Sequence, residues 1–337
     1  MSLKFSLIVP VYNRPGEVRE LFQSLVDQTY KKEYEIVLVE DGSQQTSEEV
    51  VTDFKSLLTI TYLSKKNTGP GDSRNYGMAK ASGNYFLLVD SDCILPPDYL
   101  LNIESALNEE YVDCFGGPDT AHPSFTAIQH AINYSMTSIW TTGGIRGHKK
   151  MATKFQPRSF NMGLSKQAFE ASGGFGHIHP GEDPDLSLRL KKIGFSISYI
   201  AKAVLYHKRR VSLRSFYKQV YKFGLARPIL NRWHPKSAGI TYWFPTIFSI
   251  GLLVSLALLF LYVTWPIYIY GFYFLMVFTD AWVRTGKLSV GLLAILAVLV
   301  QFIGYGQGFL KSIILVNFSK KKPEQLFPEL FFEPTLT

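Results

Sequence analysis

Short runs that are apolar at nearly every position punctuate the first ninety or so residues, at 5–9, 35–39 and 86–89. A strand without polar alternation must be covered on both faces, as in the parallel sheets of α/β proteins. Stretches of helical period separate these runs, at 15–28, 47–57 and 70–81, and a further strand is expected at 59–63. Proline stands in the first turn of two of these helices, at Pro15 and Pro70, where its missing N–H costs nothing. Alternation at this spacing implies βαβ units and a Rossmann-like, mainly parallel sheet with helices on both faces. A helix from about 98 to 107 follows, then a less regular half with strands expected at 160–164 and 196–200. That half also holds a helix at 182–192, closed near Gly194.

Composition changes sharply beyond residue 240. Overall the chain of 337 residues is 47% hydrophobic with a formal net charge of +8, but neither quantity is evenly spread. Residues 243–263, 267–283 and 290–316 are long apolar runs with few charges. Each is of a length able to cross a bilayer, and Tyr and Trp cluster at their ends like interfacial anchors. Ten Lys or Arg and no acidic residue lie between 202 and 236, a block that suits an anionic membrane surface. No nucleic-acid reader motif accompanies it, so no nucleic-acid partner is expected. Arg214, Lys218 and Lys222 recur every fourth residue opposite Phe216, Tyr217, Val220 and Tyr221, the pattern of an amphipathic helix in the headgroup region. Two crossings leave Arg284, Lys287 and Lys320–Lys322 all inside. A third full crossing puts Lys320–Lys322 outside, against the positive-inside tendency. Either the third segment is interfacial or re-entrant, or the first two form one shallow hairpin.

The expected organisation is a soluble domain over 1–230, with a first half at 1–115, a second at 116–210 and an interfacial basic region at 211–236. Two or three membrane helices follow at 240–318, and a tail at 319–337. Cys93 and Cys114 are the only cysteines, too few for a disulfide framework or a zinc site, which fits a reducing cytosol. The apolar run at the N-terminus is shorter than a signal peptide requires. The soluble part is therefore expected at the cytoplasmic face of the cell inner membrane.

The chemistry concentrates where strand 86–89 stops at Asp90-Ser91-Asp92. Carboxylates at i and i+2 in an extended turn can converge on a hard cation such as Mg²⁺ or Mn²⁺, which keeps positions open for phosphates. Four other segments accompany it in order: Ser6-Leu-Ile-Val-Pro-Val-Tyr-Asn-Arg14, Val39-Glu-Asp-Gly-Ser43, Asn67-Thr-Gly-Pro-Gly-Asp-Ser-Arg-Asn75, and Gly181-Glu-Asp183 followed by Asp185-Leu-Ser-Leu-Arg189. Together these segments resemble the family 2 glycosyltransferases, inverting enzymes of the GT-A fold, over about residues 4–230.

That resemblance implies roles for particular residues. Asp41 would accept an N–H from a uracil-type base, with Pro10, Tyr12 and Asn13 framing base and ribose. Arg74 would neutralise phosphate or fix the Asp-x-Asp loop, unless it is an ordinary helix-surface arginine. Asp92 would hold the divalent ion, with Asp90 and Ser91 near the ribose or metal shell and His207 as a further ligand. Asp183 would be the general base that takes the proton of an acceptor hydroxyl, with Glu182 binding acceptor or tuning it. A first-turn acidic pair also simply stabilises a helix start. His177 and His179 read as acceptor-loop or surface residues. Segment 141–158, with His148-Lys149-Lys150, resembles a basic lid or a connector. Asn161–Ser165 and Gly173-Gly174-Phe175 match the acceptor side, while Trp140, Phe175 and Trp233 are candidates for sugar stacking or for the core.

The implied activity is transfer of a sugar from a nucleotide-diphosphate donor, UDP favoured, to a hydroxyl of a lipid-linked or polysaccharide acceptor. Transfer to polyprenyl phosphate is the alternative, because an anionic acceptor needs no general base. A non-catalytic membrane scaffold that kept a nucleotide-binding domain is another. A processive synthase fits less well: the run at Gln219–Phe223 lacks the Arg-Trp of that group's signature.

Overall fold

The computed structural model describes residues 2–142, 155–208 and 210–332. By internal contacts the chain divides into two units. One comprises 1–120, 147–207 and 331–337, and the other 121–146 and 208–330.

The first unit opens with strand β1 (Phe5–Val11), helix α1 (Pro15–Val26), β2 (Glu35–Asp41), α2 (Glu48–Phe54), β3 (Ile60–Lys65), α3 (Pro70–Lys80) and β4 (Tyr85–Val89). Next come β5 (Cys93–Ile94), α4 (Tyr99–Glu109), β6 (Cys114–Gly116) and β7 (Asp119–Thr120). Two helices of the second unit, α5 (Ala127–Thr137) and α6 (Ile139–Thr142), intervene. The first unit then resumes with β8 (Asn161–Ser165), α7 (Lys166–Ser172), α8 (Glu182–Lys192), β9 (Ile197–Tyr199) and β10 (Leu205–His207). Seven strands form one sheet in the order β3-β2-β1-β4-β8-β6-β9, and β5-β10-β7 form a second, small one.

The large sheet is parallel except at β8, which runs antiparallel to both β4 and β6. Its two faces are buried by different helices, as the lack of alternation requires. Leu7, Val9, Leu38 and Leu87 face a core shared with Val18 and Leu21 of α1 and Leu100 and Ile103 of α4. Ile8, Val37, Val39 and Leu88 face another, shared with Met78 of α3, Ala168 of α7 and Leu186 of α8. Asn161 knits the second half together: its amide donates to the carbonyls of Pro118 (3.1 Å) and Ala203 (2.8 Å), and its oxygen accepts from Tyr99 (2.8 Å). The residue is wholly buried, with both ends of its amide engaged within the fold.

The second unit continues with α9 (Leu213–Trp233), α10 (Phe244–Leu259), α11 (Trp265–Thr285), α12 (Leu288–Phe318) and α13 (Pro323–Leu326). Three of its segments are long and apolar enough to cross a membrane: Ile240–Leu259, Trp265–Thr285 and Leu288–Phe318. The apolar side of α9, with Phe216 and Val220 at its centre, is covered by protein and shares a core with Val298 and Phe302 of α12. Only the opposite side of the helix, with Arg214 and Lys218, stays exposed. The expected lipid-facing apolar stripe is thus spent on helix packing.

Candidate active site

Strands β1, β2 and β4 are parallel neighbours, so their carboxyl ends share one edge of the sheet. Strand order reverses between β1 and β4, and ligands of open α/β sheets bind at such a point. The sequence puts Tyr12, Asp41 and Asp90 on that edge. Pro10 lies buried in β1 opposite Val39, whereas Tyr12 is 50% exposed. Asn13 adopts a left-handed conformation (φ 56°), which asparagine tolerates. Its N–H donates to Ser43 Oγ (2.7 Å), and its Oδ1 accepts from the backbone N–H groups of Gln44 (2.8 Å) and Gln45 (3.0 Å). Asn13 thereby ties the loop after β1 to the loop after β2. Glu40, which the sequence reading passed over, is fully buried and accepts from Ser43, from Ser47 N–H (2.8 Å) and from Tyr62 (3.3 Å). A carboxylate closing an apolar strand was the available signal.

Asp41 is buried and accepts from Lys65 Nζ (2.8 Å), Thr68 N–H (3.0 Å) and Gly69 N–H (3.0 Å). It therefore pins the turn that starts α3, leaving about one of its four lone-pair sites for a ligand. Five residues into α3, Arg74 is 2% exposed, which excludes the helix-surface reading. Its Nη2 donates to Asp90 Oδ1 (2.5 Å), its Nη1 lies 3.7 Å from Glu182 Oε1, and its guanidinium sits 5.5 Å from the centre of the Phe175 ring. Burial works against its charge, but Asp90, Asp183 and Glu182 outweigh that and raise its pKa. The neighbouring Asn75 exchanges two hydrogen bonds with the backbone of Phe175 (2.8 and 2.9 Å). Helix α3 thus touches all three acidic segments.

The third segment begins α8. Gly181, at φ 131°, takes a conformation that a side chain would strain, and it turns Glu182 and Asp183 into the first helical turn. His179 Nδ1 is 2.7 Å from Glu182 Oε1, so its ring is tied to the acidic pair although the side chain is partly exposed. Burial would raise the Glu182 carboxyl, yet His179 and Arg74 outweigh it and hold the pKa below the usual range. Asp183 goes the other way. Burial and the adjacent Glu182 carboxylate push it up to about 6, against Arg74, Arg158 and a hydrogen bond from Ser159. Its Oδ1 is buried with no hydrogen-bond partner among the described residues. Two carboxyls side by side are thereby driven apart, the pattern expected of an acid–base site.

Asp185 and Arg189 serve the frame. Arg189 donates to Asp185 (2.9 Å) and to the carbonyls of Ser172 (2.7 Å) and Gly174 (2.6 Å), locking the glycine turn before Phe175. One contact lay beyond any local reading: Phe331 forms an antiparallel bridge with Ile178, and Phe332 N–H donates to the His177 carbonyl (3.1 Å). The Phe332 ring lies 6.1 Å from that of His179 and against Gly69, where an added methyl would come within 2.5 Å of it.

Asp92, Cys93 and His207 form a group whose ligand atoms lie within 4.8 Å of one another and could hold a metal ion. β5 and β10 pair Cys93 with His207, and Asp92 Oδ1 is 3.2 Å from His207 Nε2. The His207 ring stacks on Phe160 (4.3 Å), and Arg14 Nη1 reaches Asp92 Oδ2 (3.1 Å). A carboxylate with an imidazole suits Mn²⁺ better than Mg²⁺. Asp90 is outside this group, held by Arg74, and Ser91 between them is buried. Of the aromatic candidates, Phe175 is buried against Arg74, while Trp140 and Trp233, in the helical unit, are partly exposed. Most of the lid segment, with His148-Lys149-Lys150, lies outside the described residues.

Residues 6–172 match the family described as Glycosyl transferase family 2. The chain is 38% identical over 111 residues to the glycosyltransferase GlyA of Streptococcus pneumoniae serotype 4, a stretch covering 33% of this chain and 16% of that protein. It is 33% identical over 114 residues to the poly(ribitol-phosphate) beta-N-acetylglucosaminyltransferase TarS of Staphylococcus aureus, covering 33% and 20%. The chain thus spans about a fifth or less of these relatives' length. In three dimensions it is similar to S. aureus TarS 1–349 in complex with UDP-GlcNAc, with a TM-score of 0.51 and 18% identity over 92% of this chain and 91% of that one. It is also similar to the mannosyltransferase PcManGT of Pyrobaculum calidifontis in complex with GDP-Man and Mn²⁺, with a TM-score of 0.56 and 16% identity over 96% and 89%. The chain carries a family 2 glycosyltransferase domain of GT-A fold, followed by three apolar helices fit to meet a membrane.

Proposed function

We propose that this protein is a membrane-associated inverting glycosyltransferase that moves a sugar from a UDP-sugar to a hydroxyl of a lipid-linked or polysaccharide acceptor. The observation that carries the reading is the split between the two carboxyls at the start of α8. Glu182 stays ionised between Arg74 and His179, while Asp183, with a raised pKa and an unpartnered oxygen, is poised to take a proton. Inversion in one displacement needs such a base on the face of the sugar opposite the leaving group, and it contributes about 10²–10⁴-fold.

Departure of the nucleoside diphosphate leaves negative charge on the β-phosphate. Asp92 and His207 would hold a divalent ion, Mn²⁺ by their chemistry, and bound there it would offset that charge. Arg74 fixes Asp90 beside them. Asp41, Tyr12 and Pro10 would frame the base and ribose, and Ser91 would lie near the sugar-phosphate. UDP-GlcNAc in TarS and GDP-Man with Mn²⁺ in PcManGT, both GT-A neighbours, support a nucleotide-sugar donor with a metal. The apolar helices support work at a membrane, placed here at the cytoplasmic face of the inner membrane.

Asp183→Asn tests the reading. Transfer from a panel of UDP- and GDP-sugars should fall by about 10²–10⁴-fold, with UDP binding retained. Turnover near that of the unaltered protein would remove the general base and favour polyprenyl phosphate as acceptor.

A further inference from the structure

The apolar helices do not form a three-helix bundle of parallel axes. Helices α10 and α11 make an antiparallel hairpin whose register is set around Phe248. The Tyr270 hydroxyl donates to the Phe248 carbonyl (3.1 Å), and the Phe248 ring lies 5.3 Å from Tyr273 and 6.0 Å from Phe274. In that register Trp243 and Phe278 stand at about the same level, near the open end of the hairpin. Helix α12 meets the hairpin at both residues. Gly291 lies against Phe278, where an added methyl would come within 3.0 Å of ring and carbonyl, and Phe309 packs on Trp243 with ring centres 5.0 Å apart. Between them Phe302 touches Phe244 (5.4 Å) and Phe248 (4.8 Å).

Gly291 and Phe309 are about 27 Å apart along a helix rising 1.5 Å per residue, yet they contact the hairpin at one level. Helix α12 therefore runs across the hairpin, and the two cannot both follow the bilayer normal. The course of the chain gives the same answer independently. It leaves the catalytic unit after His207 and is back in it at Phe331, which pairs with Ile178. A chain that starts and ends in a unit lying on one side of a bilayer crosses it an even number of times, which three crossings would violate.

We propose that the hairpin of α10 and α11 alone crosses the lipid bilayer, and that α12 lies across its open end in the plane of the membrane surface, on the catalytic side. The hairpin has the composition for lipid. Asp280 is the only charged residue from 240 to 283, and it sits at the open end, bonded to Tyr134 (2.8 Å) and Arg284 (2.8 Å). Phe260, Leu261 and Tyr262 at the closed end are 87%, 70% and 94% exposed. With Trp265 and Tyr268 they form an aromatic-rich tip suited to the far interface. Helix α11, of 21 residues, is about 31 Å long, against a hydrocarbon core of about 30 Å.

Helix α12 is instead packed against protein along one face, while Leu292, Leu296, Leu310 and Ile314 stay exposed on another. Gly224 of α9 abuts the Tyr305 carbonyl, Gly308 abuts the Tyr221 carbonyl, and Arg232 donates to the Val316 carbonyl (2.8 Å). Helix α9 therefore runs alongside α12 in the same direction and lies in the same plane. That plane brings Arg214 and Lys218 to headgroup level, and it keeps Lys287 and Lys320–Lys322 on the cytosolic side with them.

Single cysteines in the full-length protein, reconstituted into sealed proteoliposomes, test this, because Cys93 and Cys114 are both buried. A membrane-impermeant maleimide should label the Lys287→Cys and Lys321→Cys variants from the same face as Lys55→Cys in the catalytic unit. Tyr262→Cys should react only from the opposite face. Spin labels at Leu292→Cys and Leu310→Cys should report equal depths by oxygen and nickel accessibility, whereas a spanning α12 separates them by about 27 Å. Labelling of Lys287→Cys and Lys321→Cys from opposite faces, or unequal depths along α12, overturns the proposal. So does a Tyr262→Cys variant that reacts from the catalytic face or from neither.

Discussion

Replacing Glu182 with glutamine gives the sharpest reading of the site, because it removes one negative neighbour of Asp183 while keeping size and polarity. In the unaltered protein burial and Glu182 push the Asp183 carboxyl from 3.8 up to about 6. If Asp183 is the base, kcat/KM must rise with pH through that value, since only the carboxylate accepts a proton. At pH 5 about one-tenth of the molecules carry the carboxylate, against more than nine-tenths for a carboxyl at 3.8. Transfer from the best donor, measured under subsaturating conditions from pH 4.5 to 8, should therefore lose about tenfold per unit below pH 6. Glu182→Gln should move that limb to lower pH. His179→Gln should keep a rising limb, because a limb that came from deprotonation of the histidine itself would vanish with it. Stability carries the opposite sense: Asp183 contributes below about pH 4, and its contribution is lost as pH rises through about 6. A limb near pH 4 in the unaltered protein, or one that Glu182→Gln leaves in place, refutes the assignment.

Arg74→Met removes the cation that two carboxylates share in a buried place, and breaking such a pair costs about 3–5 kcal/mol. Thermal unfolding in detergent should show a markedly lowered midpoint, and an unchanged one would mean that Asp90 and Glu182 are satisfied in some other way. Asp92→Ala and His207→Ala should each abolish Mn²⁺-dependent UDP binding in isothermal titration, and binding that survives in both removes the metal assignment. Gly69→Ala should cost about 1–3 kcal/mol from its positive φ of 91°, plus the clash with Phe332. Adding Phe332→Ala should recover only the clash, so full recovery in the double variant would deny the backbone strain.

The periodic parts of the fold were legible in the sequence because they depend on local pattern. The apolar runs 5–9, 35–39 and 86–89 became β1, β2 and β4, and helix 182–192 was read to the residue. The Asp-x-Asp at the end of β4 and the Glu-Asp pair at the start of α8 were visible for the same reason. What escaped depends on residues distant in the chain. Nothing near Arg74 in sequence says that it reaches Asp90 and Glu182 at once, and a buried arginine cannot be told from a surface one by its neighbours. Asn13 and Asp41 read as ligand-facing, yet much of their hydrogen-bonding capacity holds the loops that shape the edge. Cys93 joins Asp92 and His207 only because β5 pairs with β10, two strands of two or three residues with no signature of their own. The direction of α12 was likewise hidden, since hydropathy records length and composition but not the angle at which a helix meets its neighbours.

The pairing of Phe331 with Ile178 also sets an order of events during synthesis. The two residues are separated by about 150 positions, which take roughly 8–30 s to translate at about 5–20 residues per second. The sheet, α3 and α8 can assemble in that interval, and both arms of the hairpin emerge before the closing residue does. The rim around His177 and Gly69 is therefore the last part of that unit to be built, after both arms of the apolar hairpin have been synthesised.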